Sequence, residues 1–361
     1  MEKIKNTLSH FNLTGEIKEV QTITFGLINT TYRIIFEDGS QYTLQAINTN
    51  VFKDPDKLME NVSGVTAHVR KKLVELGGDP DRETLTVIKT TEGKPIYRDE
   101  EGRCWRTYIY IDDARTYNQI EKPELMYEAG WGFGRFQKML ADYDMSKLYE
   151  TIPDFHNTKK RFENLFKAAE EDKAGRAASV QKEIQFFKDH YEEACLFVNM
   201  LEKGEIPLRV THNDTKINNI LIDDATEKAI CVIDLDTVMP GIAPFDFGDS
   251  IRFAGNKAAE DETDLSKVGI DMELYKQYAK GFLDACGKDL TETEIKHLPH
   301  GAKIVTMEIG SRFLADYLDG DVYFKVKREG HNLDRARCQI RHALSMEENF
   351  EEMCRIIEEC R

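Results

Sequence analysis

A polar loop between two apolar stretches holds the residues of this chain that are best suited to chemistry. It spans residues 212–219 and reads HNDTKINN. Asp214 is a carboxylate that can accept the proton of a hydroxyl group. Asn219 offers an amide oxygen, a hard ligand of the kind that Mg²⁺ prefers, and Lys216 is a cation between the two. We expect His212 to bond backbone groups and shape the loop.

A second acidic motif, Val232–Asp236, follows this loop after a predicted β-hairpin. The hairpin consists of an apolar run at 220–222, a turn at Asp223-Asp224 and another apolar run at 230–233. This arrangement predicts that Asp234 returns to the loop and binds magnesium together with Asn219.

The loop matches the kinase pattern H-x-D-x-x-x-x-N at all three fixed positions. In phosphoryl transfer Asp214 would be the base, and Lys216 could stabilise charge on the transferring group. Asn and Asp are also common in turns. An eight-residue pattern between apolar strands, with a second acidic motif behind it, nevertheless favours a kinase.

Two further patterns suggest phosphate or metal sites but predict structural roles. The sequence Asp246-Phe247-Gly248 lies too far beyond Asp214, so we expect Asp246 to cap a helix at 247–253 and to brace the catalytic loop. The glycines at 130, 132 and 134 lie inside a helical pattern with no strand before it, which indicates close helix packing.

The spacing of apolar residues changes near residue 112. Before it, strands are predicted at 30–36, 41–47, 85–89, 95–98 and 104–111, with one helix at 57–76 closed by Gly77-Gly78. After it, helices are predicted at 123–142, 157–176, 181–203, 272–287, 291–318 and 333–358. The sequence therefore predicts an α+β protein with a small antiparallel sheet lobe at 1–112 and a larger, mainly helical lobe at 113–361.

The segment 24–32, which reads TFGLINTTY, precedes a predicted strand as a phosphate-covering loop would. Its candidate nucleotide contacts are Gly26, Asn29, Thr30 and Thr31. An ordinary turn that leads into a strand explains the segment equally well.

Composition excludes several classes of partner. The net charge is −16, and a basic stripe for nucleic acid is not evident. No stretch approaches the ~20 apolar residues of a membrane span. Seven scattered cysteines and a polar N-terminal segment predict a cytoplasmic protein.

With these motifs in place, the chain resembles the aminoglycoside phosphotransferase/choline kinase superfamily, and within it the N-acetylhexosamine 1-kinases. The supporting stretches are 26–32, 44–49, 211–219, 232–241, 312–318 and 321–324. The resemblance implies a two-lobed protein-kinase-like fold, in which the lobe at 1–112 binds nucleotide and the lobe at 113–361 holds the catalytic and acceptor sites. The cofactors that it implies are ATP and Mg²⁺. It also implies transfer of the γ-phosphate to the anomeric hydroxyl of GlcNAc or GalNAc. Asp234 would be the metal-binding aspartate of such relatives, and Asp236 would assist.

One position departs from the kinase pattern. Kinases place a Lys or Arg on the third strand for the α- and β-phosphates, and Gln45 occupies that position here. Glu60, on the following helix, then lacks its usual cationic partner. Either another residue neutralises the phosphate charge, or magnesium neutralises a larger share of it.

The acceptor pocket is expected in the helical lobe. Arg312 and Tyr317 suit the hydroxyls and amide of a sugar, with Asp316 as a further candidate. Alternatively, Arg312 forms a helix-surface pair with Glu308.

Several other functions fit the same motifs. They are choline/ethanolamine, homoserine or aminoglycoside phosphorylation and, outside catalysis, nucleotide-binding regulation, which the neutral Gln45 would suit. A protein kinase is disfavoured because residues 235–245 are too few for a regulated activation loop.

Overall fold

The computed structural model describes residues 2–23, 28–120 and 122–361. The chain divides into two compact units. The sheet unit comprises Met1–Thr116, Met139–Pro153 and Ile220–Met239, and the helical unit comprises Tyr117–Lys138, Asp154–Asn219 and Pro240–Arg361. The lobe boundary near residue 112 stays a prediction.

The sheet unit is built around an antiparallel sheet with one long helix. Its elements up to residue 116 are α1 (Glu2–Leu8), β1 (Ile17–Ile23), β2 (Thr30–Phe36), β3 (Gln41–Ile47), α2 (Pro55–Leu76), β4 (Val87–Ile88), β5 (Tyr97–Arg98), β6 (Cys104–Ile109) and β7 (Ala114–Arg115). The strands follow the order β1-β2-β3-β6-β4, and β5 also pairs with β6. Gln45 of β3 lies opposite Arg106 of β6, which places both side chains on one face.

The predicted strands and the helix of this unit are present, with shorter outer strands. The sequence pattern missed α1 and β1. β1 is an edge strand whose outward positions are polar, including Lys18 and Glu19, so it lacks a clear apolar alternation. Helix α2 begins after Asp54, whose carboxylate accepts a hydrogen bond from the Lys57 amide, and ends at Gly77 in the left-handed conformation, as predicted.

The hairpin predicted after the catalytic loop is present. It consists of β9 (Ile220–Asp223) and β10 (Ala229–Val232), which pair antiparallel. β7 pairs with β9 and extends the hairpin to three strands. The apolar side chains of Ile220, Ile222 and Cys231 are buried.

Helices make up most of the helical unit. Its elements, in chain order, are α3 (Pro123–Met139), α4 (Thr158–Glu171), α5 (Gln181–Asp189), α6 (Tyr191–Ala194), α7 (Leu196–Glu202), β8 (Arg209–Thr211), β11 (Met239–Gly241, which begins at the end of the sheet unit), α8 (Ala243–Ala254), α9 (Met272–Cys286), α10 (Glu292–Asp319), α11 (His331–Glu348) and α12 (Phe350–Glu359). Its core packs α4, α5, α10 and α11 around residues such as Phe162, Phe187 and Leu314.

Two predicted long helices are interrupted. The segment predicted at 181–203 forms three short helices, with breaks at His190 and Cys195, yet Ile184, Phe187 and Ala194 still bury one face. The segment predicted at 333–358 divides at Asn349, whose side-chain amide donates to the carbonyl oxygen of Ser345 and ends α11.

Gly130 and Gly134 of α3 serve helix packing, as the pattern indicated. A Cβ atom on Gly130 would lie 2.3 Å from the carbonyl oxygen of Tyr278 on α9. In return, a Cβ atom on Gly281 would lie 2.0 Å from the carbonyl oxygen of Tyr127 on α3. The two backbones therefore meet at a spacing that only glycine permits.

The predicted fold class is confirmed. An antiparallel sheet unit and a larger, mainly helical unit make this an α+β protein. Within the described residues, the structure contains no helix of the length and apolarity that a membrane crossing requires.

Candidate functional site

The catalytic loop leaves β8 and is held from below by Asp246. The Asp246 carboxylate accepts hydrogen bonds from the backbone amides of His212 (2.9 Å) and Asn213 (2.7 Å). Asn213 is in the left-handed region at φ 64°, so the chain turns sharply here. Burial raises the pKa of Asp246, against the opposing influence of His212 and the two amides.

The predicted bracing role of Asp246 is therefore present, but its predicted role as a helix cap is wrong. Helix α8 begins at Ala243, so Asp246 lies inside its first turn, and Ile242 is at the cap position. Pro244 starts this helix earlier than the sequence pattern indicated, because proline is favoured in the first turn.

His212 lies in an aromatic setting beneath the loop. Its ring meets those of Phe133 and Phe136 of α3 edge-on, with ring centres 5.7 and 6.0 Å away. Its Nδ1 accepts a hydrogen bond of 3.2 Å from the backbone amide of Asp214. The imidazole thus fixes the backbone of Asp214, the aspartate of the motif.

Two predicted catalytic residues, Asp214 and Lys216, and one predicted metal ligand, Asn219, lie in contact. The Lys216 ammonium lies 3.1 Å from Asp214 Oδ1, and the side-chain amide of Asn219 donates to Asp214 Oδ2 (3.1 Å) and to its carbonyl oxygen (2.8 Å). Burial acts to raise the pKa of Asp214, but Lys216 and His212 outweigh it and the pKa is lowered. Asp214 is therefore ionised at neutral pH, the form that accepts a proton. Asn219 keeps its Oδ1 as the oxygen that could bind a cation.

The two aspartates of the second motif have different surroundings. Asp234 is exposed and adopts the left-handed conformation at φ 57°, which is uncommon for a residue other than glycine. Asp236, two residues later, is 3% exposed. The motif therefore presents one carboxylate to solvent and buries the other.

Asp236 is fully engaged by protein donors. Arg106 of β6 binds it through both guanidinium nitrogens, Nη1 to Oδ1 at 2.5 Å and Nη2 to Oδ2 at 2.9 Å. The Asn29 amide donates to Oδ2 at 2.7 Å. Because both oxygens accept from the protein, Asp236 is placed as an anchor, and its role as a metal ligand stays a prediction without geometric support.

The predicted nucleotide-contact residues also differ in their surroundings. The side-chain amide of Asn29 donates to Asp236, and its oxygen accepts from the backbone amide of Asn48. The Thr31 hydroxyl oxygen accepts from the side-chain amide of Gln45 at 3.0 Å. Thr30 is exposed, and Gly26 lies outside the described residues. The side chains of Asn29, Thr31 and Gln45 are thus bonded within the sheet unit, and their phosphate contacts stay predictions.

Glu60, for which the sequence offered no cationic partner, interacts with a tyrosine. Its carboxylate accepts the hydrogen bond of the Tyr149 hydroxyl, and this interaction raises the pKa of Tyr149. The adjacent Asn61 is completely buried and donates to the backbone oxygens of Tyr149 and Val238. Helix α2 therefore holds the segment that follows Asp236 in place.

Arg312, the main acceptor candidate, is surrounded by aromatic rings. Its guanidinium carbon lies 6.0 Å from the ring centre of Phe155, 5.8 Å from that of Tyr323 and 5.5 Å from that of Phe324. Arg161 lies near enough for repulsion: burial, and then the charge of Arg312, lowers its pKa. Two guanidinium groups and three rings thus share one region of the helical unit.

Glu308 pairs with a histidine that the sequence analysis did not identify. His156 Nδ1 lies 3.1 Å from Glu308 Oε1, and its Nε2 lies 3.0 Å from the carbonyl oxygen of Asn213 in the catalytic loop. Burial opposes a charge on His156, yet Glu308 outweighs it and the pKa of His156 is raised. A chain of contacts thus joins α10 to the loop. No spacing in the sequence relates position 156 to position 308.

Asp316 and Tyr317 have structural partners. Asp316 accepts from the backbone amides of Val322, Tyr323 and Phe324 and from the Asn332 side chain, and so shapes the segment whose rings cover Arg312. Tyr317 follows Arg312 by five residues, about 140° around an α-helix. Its ring lies 4.5 Å from the guanidinium of Arg176. Direct sugar contacts by both residues stay predictions.

A family match and several solved structures relate this chain to known proteins. The sequence profile of the phosphotransferase enzyme family (APH) matches residues 19–268. A microcompartment-associated aminopropanol kinase superposes with a TM-score of 0.64 at 14% identity, covering 98% of each chain.

Two further solved structures are similar. An aminoglycoside phosphotransferase from Alicyclobacillus acidocaldarius has a TM-score of 0.62 at 11% identity, covering 98% of this chain and 96% of its own. A choline kinase from Cryptosporidium parvum has a TM-score of 0.59 at 16% identity, covering 99% of this chain and 98% of its own. At such identities these likenesses show the fold alone.

The sequence profile, in contrast, spans well over half of the chain and includes both acidic motifs. The predicted superfamily is thereby confirmed, while the closer resemblance to N-acetylhexosamine 1-kinases stays a prediction. The chain belongs to the phosphotransferase enzyme family.

Proposed function

We propose that this phosphotransferase transfers the γ-phosphate of ATP to the anomeric hydroxyl of an N-acetylhexosamine. The observation that carries the phosphoryl-transfer assignment is the position of the Asp214 carboxylate, held between Lys216 and Asn219 in a loop that Asp246 braces. A carboxylate held in this way can accept the proton of an attacking hydroxyl group.

In the proposed reaction the acceptor hydroxyl loses its proton to Asp214 while its oxygen bonds to the γ-phosphorus. The bond from that phosphorus to the bridging oxygen breaks, and ADP leaves with the electron pair. Lys216 offsets charge on the transferring group. Asn219 and Asp234 offer the oxygen ligands that Mg²⁺ prefers, and when bound the ion would neutralise phosphate charge.

The surroundings of Arg312 support a neutral acceptor. Arg312 can donate to hydroxyl or carbonyl oxygens, and exposed rings such as that of Tyr323 can pack on a sugar face. Arg161 and Arg312 together would repel an ammonium group, because each carries a permanent charge. This disfavours choline, ethanolamine and aminoglycosides, although Glu308 lowers the local positive charge.

An acceptor screen tests the proposal. Release of ADP is measured with GlcNAc, GalNAc, simple hexoses, choline, ethanolamine, homoserine and aminoglycosides, each with and without Mg²⁺. We expect the highest kcat/KM with an N-acetylhexosamine, and a phosphorus NMR spectrum of the product that identifies an anomeric phosphate.

The same screen can refute it. A higher kcat/KM with an amino alcohol or an aminoglycoside would overturn the sugar assignment but keep the kinase. Nucleotide binding without ADP release for any acceptor would overturn the kinase assignment in favour of a regulator.

Arg312→Ala tests the acceptor site itself. We expect the sugar KM to rise at least ~10-fold, while the ATP KM changes less than ~2-fold, because the lost contacts serve the acceptor alone. Arg337→Ala is the matched control, since Arg337 pairs with Glu183 at the surface of the same unit. Equal changes in both KM values would remove Arg312 from the acceptor site.

A further inference from the structure

A kinase that places Gln45 on the third strand must neutralise nucleotide phosphates in another way. A glutamine amide can donate a hydrogen bond to a phosphate oxygen but adds no positive charge. In the antiparallel register of the sheet, the residue directly opposite Gln45 is Arg106 on β6. The side chains of such a pair project to the same face of the sheet and lie within contact distance.

Arg106 is bonded to the residue it faces. Its Nε donates to Gln45 Oε1 at 2.9 Å, and the other end of that amide donates to Thr31 on β2. The cation and the neutral amide therefore form one network across three neighbouring strands. A positive charge is present at this position of the sheet, carried by the adjacent strand.

The carboxylate that pairs with this cation also differs from the usual kinase arrangement. In place of a glutamate on the helix, Arg106 uses Asp236, which it binds with both terminal nitrogens. Glu60, the acidic residue on α2, is hydrogen bonded to Tyr149. The sheet unit thus holds a paired cation beside Gln45, with the cation on β6 and its carboxylate partner in the second acidic motif.

One donor of Arg106 is left for a ligand. Nη1 also donates to the sulfur of Met59 at 3.7 Å, so four of the five N–H groups have partners. Within the described ranges the fifth, on Nη2, has none. The side chain is only 1% exposed, and the exposed Asp234 is close enough to act on its charge. A buried N–H beside the exposed metal-binding candidate is suited to a phosphate oxygen.

We propose that Arg106 is the phosphate-binding cation of this enzyme, which replaces the usual third-strand lysine from the neighbouring strand, and that Asp236 positions it. The proposal rests on the proposed kinase function. Asp236 holds the guanidinium, as a carboxylate holds the lysine in other kinases. Binding of ATP adds a phosphate contact at Nη2 while Gln45 fixes the orientation at Nε.

The test compares ATP with adenosine, which lacks phosphates. Dissociation constants for both are measured by calorimetry in wild type, Arg106→Gln and Arg106→Lys. We expect Arg106→Gln to weaken ATP binding at least ~10-fold and adenosine binding less than ~2-fold, with Arg106→Lys between. Arg103→Gln is the matched control, because Arg103 lies just before the same strand and pairs at the surface with Asp99.

If Arg106 supplies the charge that β3 lacks, a cation returned to β3 should restore ATP affinity. Adding Gln45→Lys to Arg106→Gln returns a cation to β3, and we expect it to regain at least ~3-fold of the lost ATP affinity. Arg106→Gln leaves a buried carboxylate unpaired and could unfold the protein. The double variant Arg106→Gln/Asp236→Asn removes both charges of the pair and permits the same comparison of ATP with adenosine.

Two results would overturn the proposal. One is an ATP affinity within ~2-fold of wild type in a folded variant without Arg106. The other is an equal loss of ATP and adenosine affinity, which a purely structural ion pair would produce. These binding measurements involve no acceptor, so their failure is distinct from an acceptor screen in which no ADP is released.

Discussion

The HNDTKINN loop and the sheet unit both place an aspartate beside a cation, but the two pairs are assembled differently. Asp214 meets Lys216 two residues away and Asn219 five residues away. Asp236 meets Arg106 across 130 positions of sequence. The first grouping is contained in one short motif, whereas the second exists only once the strands are paired. The comparison teaches that a motif identifies the reaction, while long-range pairing decides which side chain supplies charge.

The largest expected effect lies in the catalytic loop. Asp214→Asn should lower kcat by about 10²- to 10⁴-fold, because the variant cannot take the proton of the acceptor. ATP binding should persist, in contrast to variants of Arg106. Steady-state kinetics and calorimetry check the two quantities, and near-normal turnover would remove Asp214 as the base.

The brace below the loop comes next. Asp246→Ala leaves the buried amides of His212 and Asn213 without their acceptor and should lower the free energy of unfolding by about 3 kcal/mol. Denaturant titration measures this change. Asp264→Ala, at an exposed turn, is the control and should cost less than ~1 kcal/mol. An equal cost for both variants would contradict the bracing role.

Acid should weaken the protein through a buried histidine. Burial lowers the pKa of His342 to about 3, so this residue is neutral in the folded protein. The unfolded chain takes up a proton below its ordinary pKa of about 6.5, so the free energy of unfolding falls as pH decreases. Between pH 7 and 5 the loss should be about 2 kcal/mol from this residue.

His342→Gln should flatten that part of the profile, measured as unfolding free energy against pH. The Arg106 guanidinium of the sheet unit stays charged over the same range, because Asp236 outweighs the effect of burial and its pKa is raised. A profile that is unchanged by the substitution would exclude His342 as the source.

The smallest effect is expected at the acceptor side. Asp316→Asn replaces a carboxylate that accepts from three backbone amides and should loosen the segment that carries Tyr323 over Arg312. The sugar KM should rise ~3- to 10-fold, equivalent to about 1 kcal/mol, with the ATP KM unchanged. Asp319→Asn, which alters a surface pair with Lys173, should change neither.

Much of the fold could be predicted from the sequence, because its signals are local. The turns at Asp38-Gly39 and Gly77-Gly78 bound β3 and α2, and apolar spacing located most of the helices. Edge strand β1 has no such pattern, and the breaks at His190 and Asn349 occur within continuous apolar spacing. The missed features depend on contacts that periodicity does not record.

The candidate site shows the same limit. The residues of the HNDTKINN loop contact one another as their spacing suggested. Arg106 gave one signal in retrospect, a charged residue in the middle of a strand of buried aromatic and apolar residues. That signal identifies a buried cation but not its partner, because strand register, not spacing, sets it opposite Gln45.

The meeting of Gly130 and Gly281 has a consequence for engineering. Helix α3 carries the rings of Phe133 and Phe136 against His212, and its height over α9 is set where the two backbones meet. A single added methyl group would push the helices apart and shift the rings beneath His212 and Asp214, the proposed base. Libraries that test the proposed acceptor site should therefore vary the residues around Tyr323 and keep this pair of glycines constant.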